Sequence, residues 1–124
     1  MKILIIDDNR IDLALQFYHL RPYGLVHCIN NEEKVINRLT NCLYDKYYDI
    51  IFLDIVMPTI NGIALSKLIR LFETKHKLLP AKIVITTCLS IEETVKDVCR
   101  SHLDFYIVKP MTKDKLIPII KKII

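Results

Sequence analysis

The chain has 124 residues, of which 52% are hydrophobic and 26% charged, with a formal net charge of +4. This length suits one domain, and the composition excludes a disordered chain and a small disulfide-stapled one. The longest apolar runs, such as Ile3–Ile6 and Ile50–Leu53, are far shorter than the roughly 20 residues of a membrane-spanning helix. Asp7 and Asp8 also end the first run before it could serve in a signal peptide. We therefore expect a single cytoplasmic domain over residues 1–124, without an output domain.

Five short apolar runs alternate with amphipathic segments, which is the pattern of an α/β domain built on a parallel sheet. The predicted strands are Lys2–Ile6, Val26–Ile29, Ile50–Leu53, Lys82–Thr86 and Phe105–Val108. Several of these runs are apolar at nearly every position, as expected of strands that helices cover on both faces. The sequence thus predicts a doubly wound α/β fold with a five-stranded parallel sheet.

The segments between the strands repeat apolar residues at helical spacing. The first three predicted helices cover residues 11–20, about 35–43 and about 62–72. Ser90 and Glu93 form a capping-box pattern that predicts the start of a fourth helix. Thr112 is predicted to cap a fifth. Pro118 in that last helix predicts a kink or a late start, because proline removes one helical hydrogen bond.

The cysteines and lysines of the sequence do not indicate a site of their own. The four cysteines, Cys28, Cys42, Cys88 and Cys99, show no C-x-x-C pair and no histidine at zinc-site spacing. We expect them to be reduced packing residues. The basic residues are scattered along the chain, so the positive charge predicts a solvated surface.

Polar residues collect directly after the predicted strands. They are Asp7 and Asp8 after the first strand, Asp54 after the third, Thr86 and Thr87 at the fourth, and Lys109 after the fifth. Ligands of open parallel sheets bind beyond the carboxyl ends of the strands, so these side chains should converge on one rim. A single aspartate at such a position could instead cap the next helix, but that role does not explain the whole set.

Three converging carboxylates need compensating positive charge. Two carboxylates 4 Å apart repel by about 1 kcal/mol in water-like surroundings and by about 4 kcal/mol at an effective dielectric of 20. The ammonium of Lys109 and a hard divalent cation, Mg²⁺ or Mn²⁺, would offset this repulsion. A cation and a lysine beside a carboxylate also suit a phosphoryl group, whose transfer depends mainly on positioning and charge neutralisation. The expected product is an acyl phosphate on an aspartate.

Three segments of the chain carry a family resemblance. They are Ile3–Asn9, Phe52–Pro58 with the Asn61-Gly62 pair after it, and Phe105–Pro110. In this order and at this spacing they resemble the receiver domain of two-component response regulators, over essentially the whole chain. The resemblance implies a flavodoxin-like, CheY-like (βα)5 fold.

The resemblance also implies a role for each rim residue. Asp54 would be the phosphoacceptor, and Lys109 would pair with the phosphoryl oxygens. Asp8, Asp54 and the main-chain carbonyl of Val56 would bind the metal directly, and Asp7 would act through water. A histidine kinase or a histidine phosphotransfer protein would supply the phosphoryl group from its phosphohistidine.

The hydroxyl at the fourth strand is a choice between Thr86 and Thr87. The family spacing of 22 residues before the lysine favours Thr87. Its hydroxyl would turn toward the phosphate, and Tyr106 would swing inward, although a tyrosine that only packs is the alternative. This switch would change the surface of helix four, strand five and helix five. Ile91, Thr94 and Val95 would lie either on that surface or, as apolar residues at helical spacing, in the core. An unspecified downstream protein or a second copy of the chain would bind to that surface.

Two apolar residues, Val56 and Leu89, would flank the path of the water that hydrolyses the acyl phosphate. Neither side chain can orient a water molecule and both help to exclude it, so we expect slow self-dephosphorylation. The phosphate half-life should therefore shorten when Val56→Asn and Leu89→Glu are introduced. A half-life that stays unchanged would contradict this prediction.

Other functions fit the residues less well. A phosphatase with an aspartate nucleophile would need a second acid two residues later, where Val56 follows Asp54 and Asn9 follows Asp7. A flavin-binding module would need a phosphate loop where the acidic pair stands. The remaining alternative is a phosphorylation-independent module of the same fold that binds protein or, through Lys113, Lys115, Lys121 and Lys122, nucleic acid. We expect a Mg²⁺-dependent, self-phosphorylating receiver and no conventional enzyme.

Overall fold

The computed structural model describes residues 1–55, 62–87 and 104–124. Its strands are β1 (Lys2–Ile6), β2 (Leu25–Ile29), β3 (Ile50–Asp54), β4 (Lys82–Thr87) and β5 (Phe105–Val108). All neighbours are parallel, in the order β2-β1-β3-β4-β5. Each predicted strand is present, and three of them are one residue longer than predicted. The doubly wound, flavodoxin-like α/β fold is confirmed.

Four helices lie in the described residues. They are α1 (Arg10–Leu20), α2 (Val35–Asn41), α3 (Gly62–Lys75) and the C-terminal helix (Lys113–Ile123). Short 3-10 turns cover Arg21–Tyr23, Glu32–Lys34 and Cys42–Tyr44. The fourth helix predicted from Ser90, with Ile91, Thr94 and Val95, falls outside the described residues. None of the described helices combines the length and the apolar character needed to cross a membrane.

Asn9 determines where α1 begins. Its side-chain oxygen accepts hydrogen bonds from the backbone N–H groups of Ile11 and Asp12, at 3.0 and 3.1 Å. This contact satisfies two of the N–H groups that a helix start leaves without partners. The helix therefore starts at Arg10, and neither Asp7 nor Asp8 is its cap.

The C-terminal helix starts directly after Thr112, which accepts a hydrogen bond from the Lys115 backbone N–H as predicted. The helix continues through Pro118, which excludes the late start, and the kink stays a prediction. Proline removes only one N–H donor, while Leu116 and Ile120 on the same helix are almost fully buried. Burial of this apolar face stabilises the helix despite the missing hydrogen bond.

Alternate strand residues fill two cores, one on each face of the sheet. Ile51 and Ile83 belong to the core beneath α2 and α3. Phe52 and Val84 belong to the other, with Leu20 of α1 and the buried face of the C-terminal helix. Because helices cover both faces, the carboxyl ends of the strands are the place where polar side chains can meet a ligand.

Edge strand β2 is less covered, and this corrects one prediction. Cys42 is buried, as expected of a packing residue, but Cys28 on β2 is exposed. The helices cover this edge of the sheet only partly, so Ile29 is the one buried residue of β2. Cys88 and Cys99 lie outside the described residues.

Candidate functional site

Three predicted rim residues form a compact acidic cluster, made of Asp7, Asp8 and Asp54. One carboxylate oxygen from each lies within 4.8 Å of the others. Asp7 is fully buried and Asp54 is 5% exposed, whereas Asp8 is exposed. The cluster therefore joins strands β1 and β3 at their carboxyl ends and opens to solvent beside Asp8.

Asp7 is held in place on both of its carboxylate oxygens. Oδ1 accepts a hydrogen bond from the Asn9 backbone N–H at 2.9 Å. Oδ2 accepts one from Gln16 Nε2, also at 2.9 Å. Charge-assisted hydrogen bonds of this kind stabilise a buried carboxylate that would otherwise be costly. Asp7 is thus held in a fixed orientation on the buried side of the cluster.

Lys109 extends from the end of β5 into the acidic cluster. Its Nζ lies 2.9 Å from Asp7 Oδ2 and 3.5 Å from Asp54 Oδ2. A third carboxylate, Asp12 of α1, lies 3.0 Å away. Burial alone lowers the pKa of the Lys109 ammonium, but the hydrogen bonds to Asp7 and Asp12 and the charge of Asp54 outweigh it and raise the pKa above its ordinary value. Lys109 is therefore firmly cationic at neutral pH.

Gly62 brings the start of α3 against the end of β3. Its backbone N–H donates to the carbonyl of Ile55 at 2.9 Å. A Cβ at position 62 would lie 2.5 Å from the carbonyl oxygen of Asp54 and 2.7 Å from the Cα of Ile55. Only glycine permits this approach without displacing the backbone. The close approach of α3 to the end of β3 therefore explains why glycine is the second residue of the Asn61-Gly62 pair.

The two candidate hydroxyls, Thr86 and Thr87, are both buried at the end of β4. Thr86 lies opposite Asp54 in the β3–β4 ladder, and its Oγ1 has no hydrogen-bond partner among the described residues. The carbonyl of Thr87 accepts from the Lys109 backbone N–H at 2.6 Å. Thr87 is therefore joined directly to the segment that carries the lysine, while Thr86 is the ladder neighbour of the aspartate.

Tyr106 lies on β5 with its side chain on the outer surface. It is 45% exposed and lines a cavity of about 370 Å³ together with Lys115, Pro118 and Ile119 of the C-terminal helix. The ring is thus in an outward position, between β5 and that helix. Val56 and Leu89, the other two residues singled out by the sequence, lie outside the described residues.

Sequence reasoning missed two residues of this site, Asp12 and Gln16. They are four positions apart on α1, so they share one face of that helix. Each is a polar residue between two apolar neighbours in the sequence, and this was the signal that could have identified them. Gln16 is 2% exposed, and its Nε2 bridges the Asp7 carboxylate and the Asp12 carbonyl.

The donor set fits a hard divalent cation. Its ligand atoms are carboxylate oxygens, which Mg²⁺ prefers, and one face of the cluster is open to water. Within the described residues, the single ammonium of Lys109 faces three carboxylates, those of Asp7, Asp12 and Asp54. A further positive charge at the cluster would therefore relieve repulsion that the lysine leaves uncompensated.

Comparison with known proteins places this geometry in a family. Residues 3–121 match the response regulator receiver domain. The chain belongs to this family. Receiver domains accept phosphoryl groups in two-component signalling. Membership of this family favours a phosphoacceptor role over that of a phosphorylation-independent binding module.

The relatives of this receiver domain include much longer proteins. Hybrid signal transduction histidine kinase L of Dictyostelium discoideum is 31% identical over 122 residues, which are 98% of this chain and 7% of that protein. The chain therefore spans a small part of such relatives.

Two solved structures show the same fold. The receiver domain of the histidine kinase CKI1 from Arabidopsis thaliana, complexed with Mg²⁺ and BeF₃⁻, has a TM-score of 0.84 at 21% identity, covering 98% of this chain and 88% of that one. The response regulator TrrA from Thermotoga maritima, in complex with Mg²⁺-BeF, has a TM-score of 0.76 at 27% identity, covering 99% and 98%.

Proposed function

We propose that this receiver domain accepts a phosphoryl group on Asp54 from a phosphohistidine, with a divalent cation at the acidic cluster. The observation that carries the proposal is the position of Asp54. It is buried at the end of β3, within 4.8 Å of Asp7 and Asp8 through its carboxylate and 3.5 Å from the ammonium of Lys109. A nucleophile surrounded by this charge pattern suits phosphoryl transfer.

Each residue has a separate task in the proposed transfer. A carboxylate oxygen of Asp54 forms the new O–P bond while the P–N bond of the phosphohistidine breaks and its electron pair returns to the imidazole. Lys109 neutralises negative charge on the phosphoryl oxygens. Asp7, fixed by Gln16 and Asn9, keeps the lysine beside Asp54. The lysine thus already lies 3.5 Å from the attacking carboxylate before the transfer begins.

Mg²⁺ or Mn²⁺ would be held by Asp8, Asp54 and the main-chain carbonyl of Val56, with Asp7 acting through water. A cation bound there supplies charge neutralisation for the phosphoryl oxygens. The exposure of Asp8 gives the cluster a solvent-facing ligand, which suits an ion that retains several of its waters.

The proposed donor is a histidine kinase or a histidine phosphotransfer protein, and residues 1–124 act as one receiver unit. Thr87 is the proposed switch hydroxyl. Tyr106, whose ring is half-exposed, would move inward and change the surface between β5 and the C-terminal helix. A downstream protein or a second copy would recognise that surface.

The proposal is tested by incubating the chain with acetyl phosphate and Mg²⁺ and measuring its intact mass. We expect a gain of one phosphoryl group because the site binds both the cation and the small phosphodonor. The same incubation with EDTA should leave the mass unchanged. A chain that gains no phosphoryl group with Mg²⁺, or gains it equally in EDTA, would contradict the proposal.

A further inference from the structure

We propose that Asp12 is a positioning residue that holds Lys109 back from the phosphoryl site and releases it when Asp54 is modified. The inference rests on the proposed function and extends it to a residue of α1. Asp12 Oδ2 accepts a hydrogen bond from Lys109 Nζ at 3.0 Å, which is shorter than the 3.5 Å separation between Lys109 and Asp54. In this structure Asp12 therefore holds the Lys109 ammonium more closely than Asp54 does.

The ammonium of Lys109 hydrogen-bonds to Asp7 and Asp12 and lies near Asp54. An ammonium has three N–H donors, and Asp7, Asp12 and Asp54 lie at 2.9, 3.0 and 3.5 Å from it. A phosphoryl group on Asp54 brings additional acceptor oxygens. Two of its donors are committed to Asp7 and Asp12, so Lys109 can give these oxygens more than one hydrogen bond only by releasing one of those two partners.

Asp12 is the partner that Lys109 can leave at the lowest cost. Asp7 has no exposed side-chain surface, so losing its cation would strand a buried charge. The Asp12 side chain is 30% exposed, and water can solvate its carboxylate after release. Asp12 also adds a negative charge beside a position where a dianion must settle. Both effects oppose phosphoryl binding while Asp12 is ionised.

The test is the affinity of the chain for beryllofluoride, an analogue of the phosphoryl group, titrated by calorimetry with saturating Mg²⁺. Asp12→Asn keeps the size of the side chain and removes its charge. We expect it to lower the apparent Kd by about three- to fivefold, the range for loss of a competing ion pair that is partly open to water. Damage to the fold would weaken binding, so tighter binding cannot arise from misfolding.

Two further variants separate the role of Asp12 from general charge effects. Asp12→Glu restores a carboxylate that reaches Lys109 and should return the Kd to the wild-type value. Asp45→Asn removes an equivalent charge from a side chain that is 79% exposed and lies outside the acidic cluster, and it should leave the Kd unchanged. Equal tightening in Asp45→Asn would overturn the inference.

The remaining outcomes distinguish this inference from the proposed function. If the wild-type chain binds beryllofluoride and Asp12→Asn binds it equally or more weakly, Asp12 does not compete for Lys109 and only the inference fails. If the wild-type chain does not bind beryllofluoride with Mg²⁺, the proposed function fails and the inference fails with it.

Discussion

Asp54→Asn is expected to abolish phosphorylation by acetyl phosphate while the chain stays folded. The amide lacks the anionic oxygen that would attack phosphorus. It also removes one charge from a cluster whose carboxylates lie within 4.8 Å of one another, so repulsion in the folded state falls. Intact mass should show no added phosphoryl group, and the thermal unfolding midpoint in EDTA should equal or exceed that of the wild type.

Asp45→Asn is the matched control, because it makes the same chemical change on a side chain that is 79% exposed and lies outside the acidic cluster. This variant should be phosphorylated like the wild type. A phosphorylated Asp54→Asn chain would mean that another residue accepts the group. A loss in both variants would show that the readout follows general damage and not the site.

Lys109→Ala is expected to lower the free energy of unfolding by about 3–5 kcal/mol in EDTA at neutral pH, the range for removing one partner of a buried ion pair. The side chain is 11% exposed, and its removal leaves Asp7 with no exposed surface and no ammonium beside it. Phosphorylation should also fall strongly, because the ammonium that neutralises charge on the phosphoryl oxygens is then missing. Urea unfolding and intact mass measure the two effects.

The destabilisation expected for Lys109→Ala depends on pH. The folded-state pKa of Lys109 lies above its ordinary value of 10.5. Its contribution to stability is therefore fully present below the unfolded pKa and is lost only as the pH rises through the folded value. The difference between wild type and Lys109→Ala should stay constant from about pH 7 to 9 and shrink at more alkaline pH.

Lys46→Ala is the control for the lysine substitution. Lys46 pairs with Asp49 at 3.2 Å on the surface, with side chains 65% and 36% exposed. A surface pair of this kind contributes about 1 kcal/mol or less. Equal destabilisation by the two substitutions would show that burial of the Lys109 ion pair adds nothing to the free energy of unfolding, and it would contradict the prediction.

The strands and the rim residues could be predicted because both follow from local patterns. A continuous apolar run such as Ile50–Leu53 predicts a strand covered on both faces, and the residue after it lies at the rim by topology alone. Asp54 and Lys109 lie 55 positions apart in the sequence and still meet at 3.5 Å. Their meeting is a property of the parallel sheet.

The roles of Asn9, Asp12 and Gln16 could not be predicted in the same way. Each depends on where α1 begins and how it is rotated against the sheet. A shift of one residue in the helix start rotates every side chain by roughly 100°, which separates a residue that contacts Lys109 from one that faces solvent. Similarly, the loss of one hydrogen bond at Pro118 predicts a late helix start. The helix forms nevertheless, because burial of Leu116 and Ile120 stabilises it, and a local sequence pattern does not show that burial.

The central claim is that the phosphoryl group is carried by Asp54. The most direct measurement is to phosphorylate the chain with acetyl phosphate and Mg²⁺, reduce the acyl phosphate with borohydride to homoserine, and locate that residue by tandem mass spectrometry. Our account predicts homoserine at position 54 and at none of the neighbouring carboxylates. Homoserine at Asp7, Asp8 or Asp12, or its absence from a chain that had gained a phosphoryl group, would contradict it.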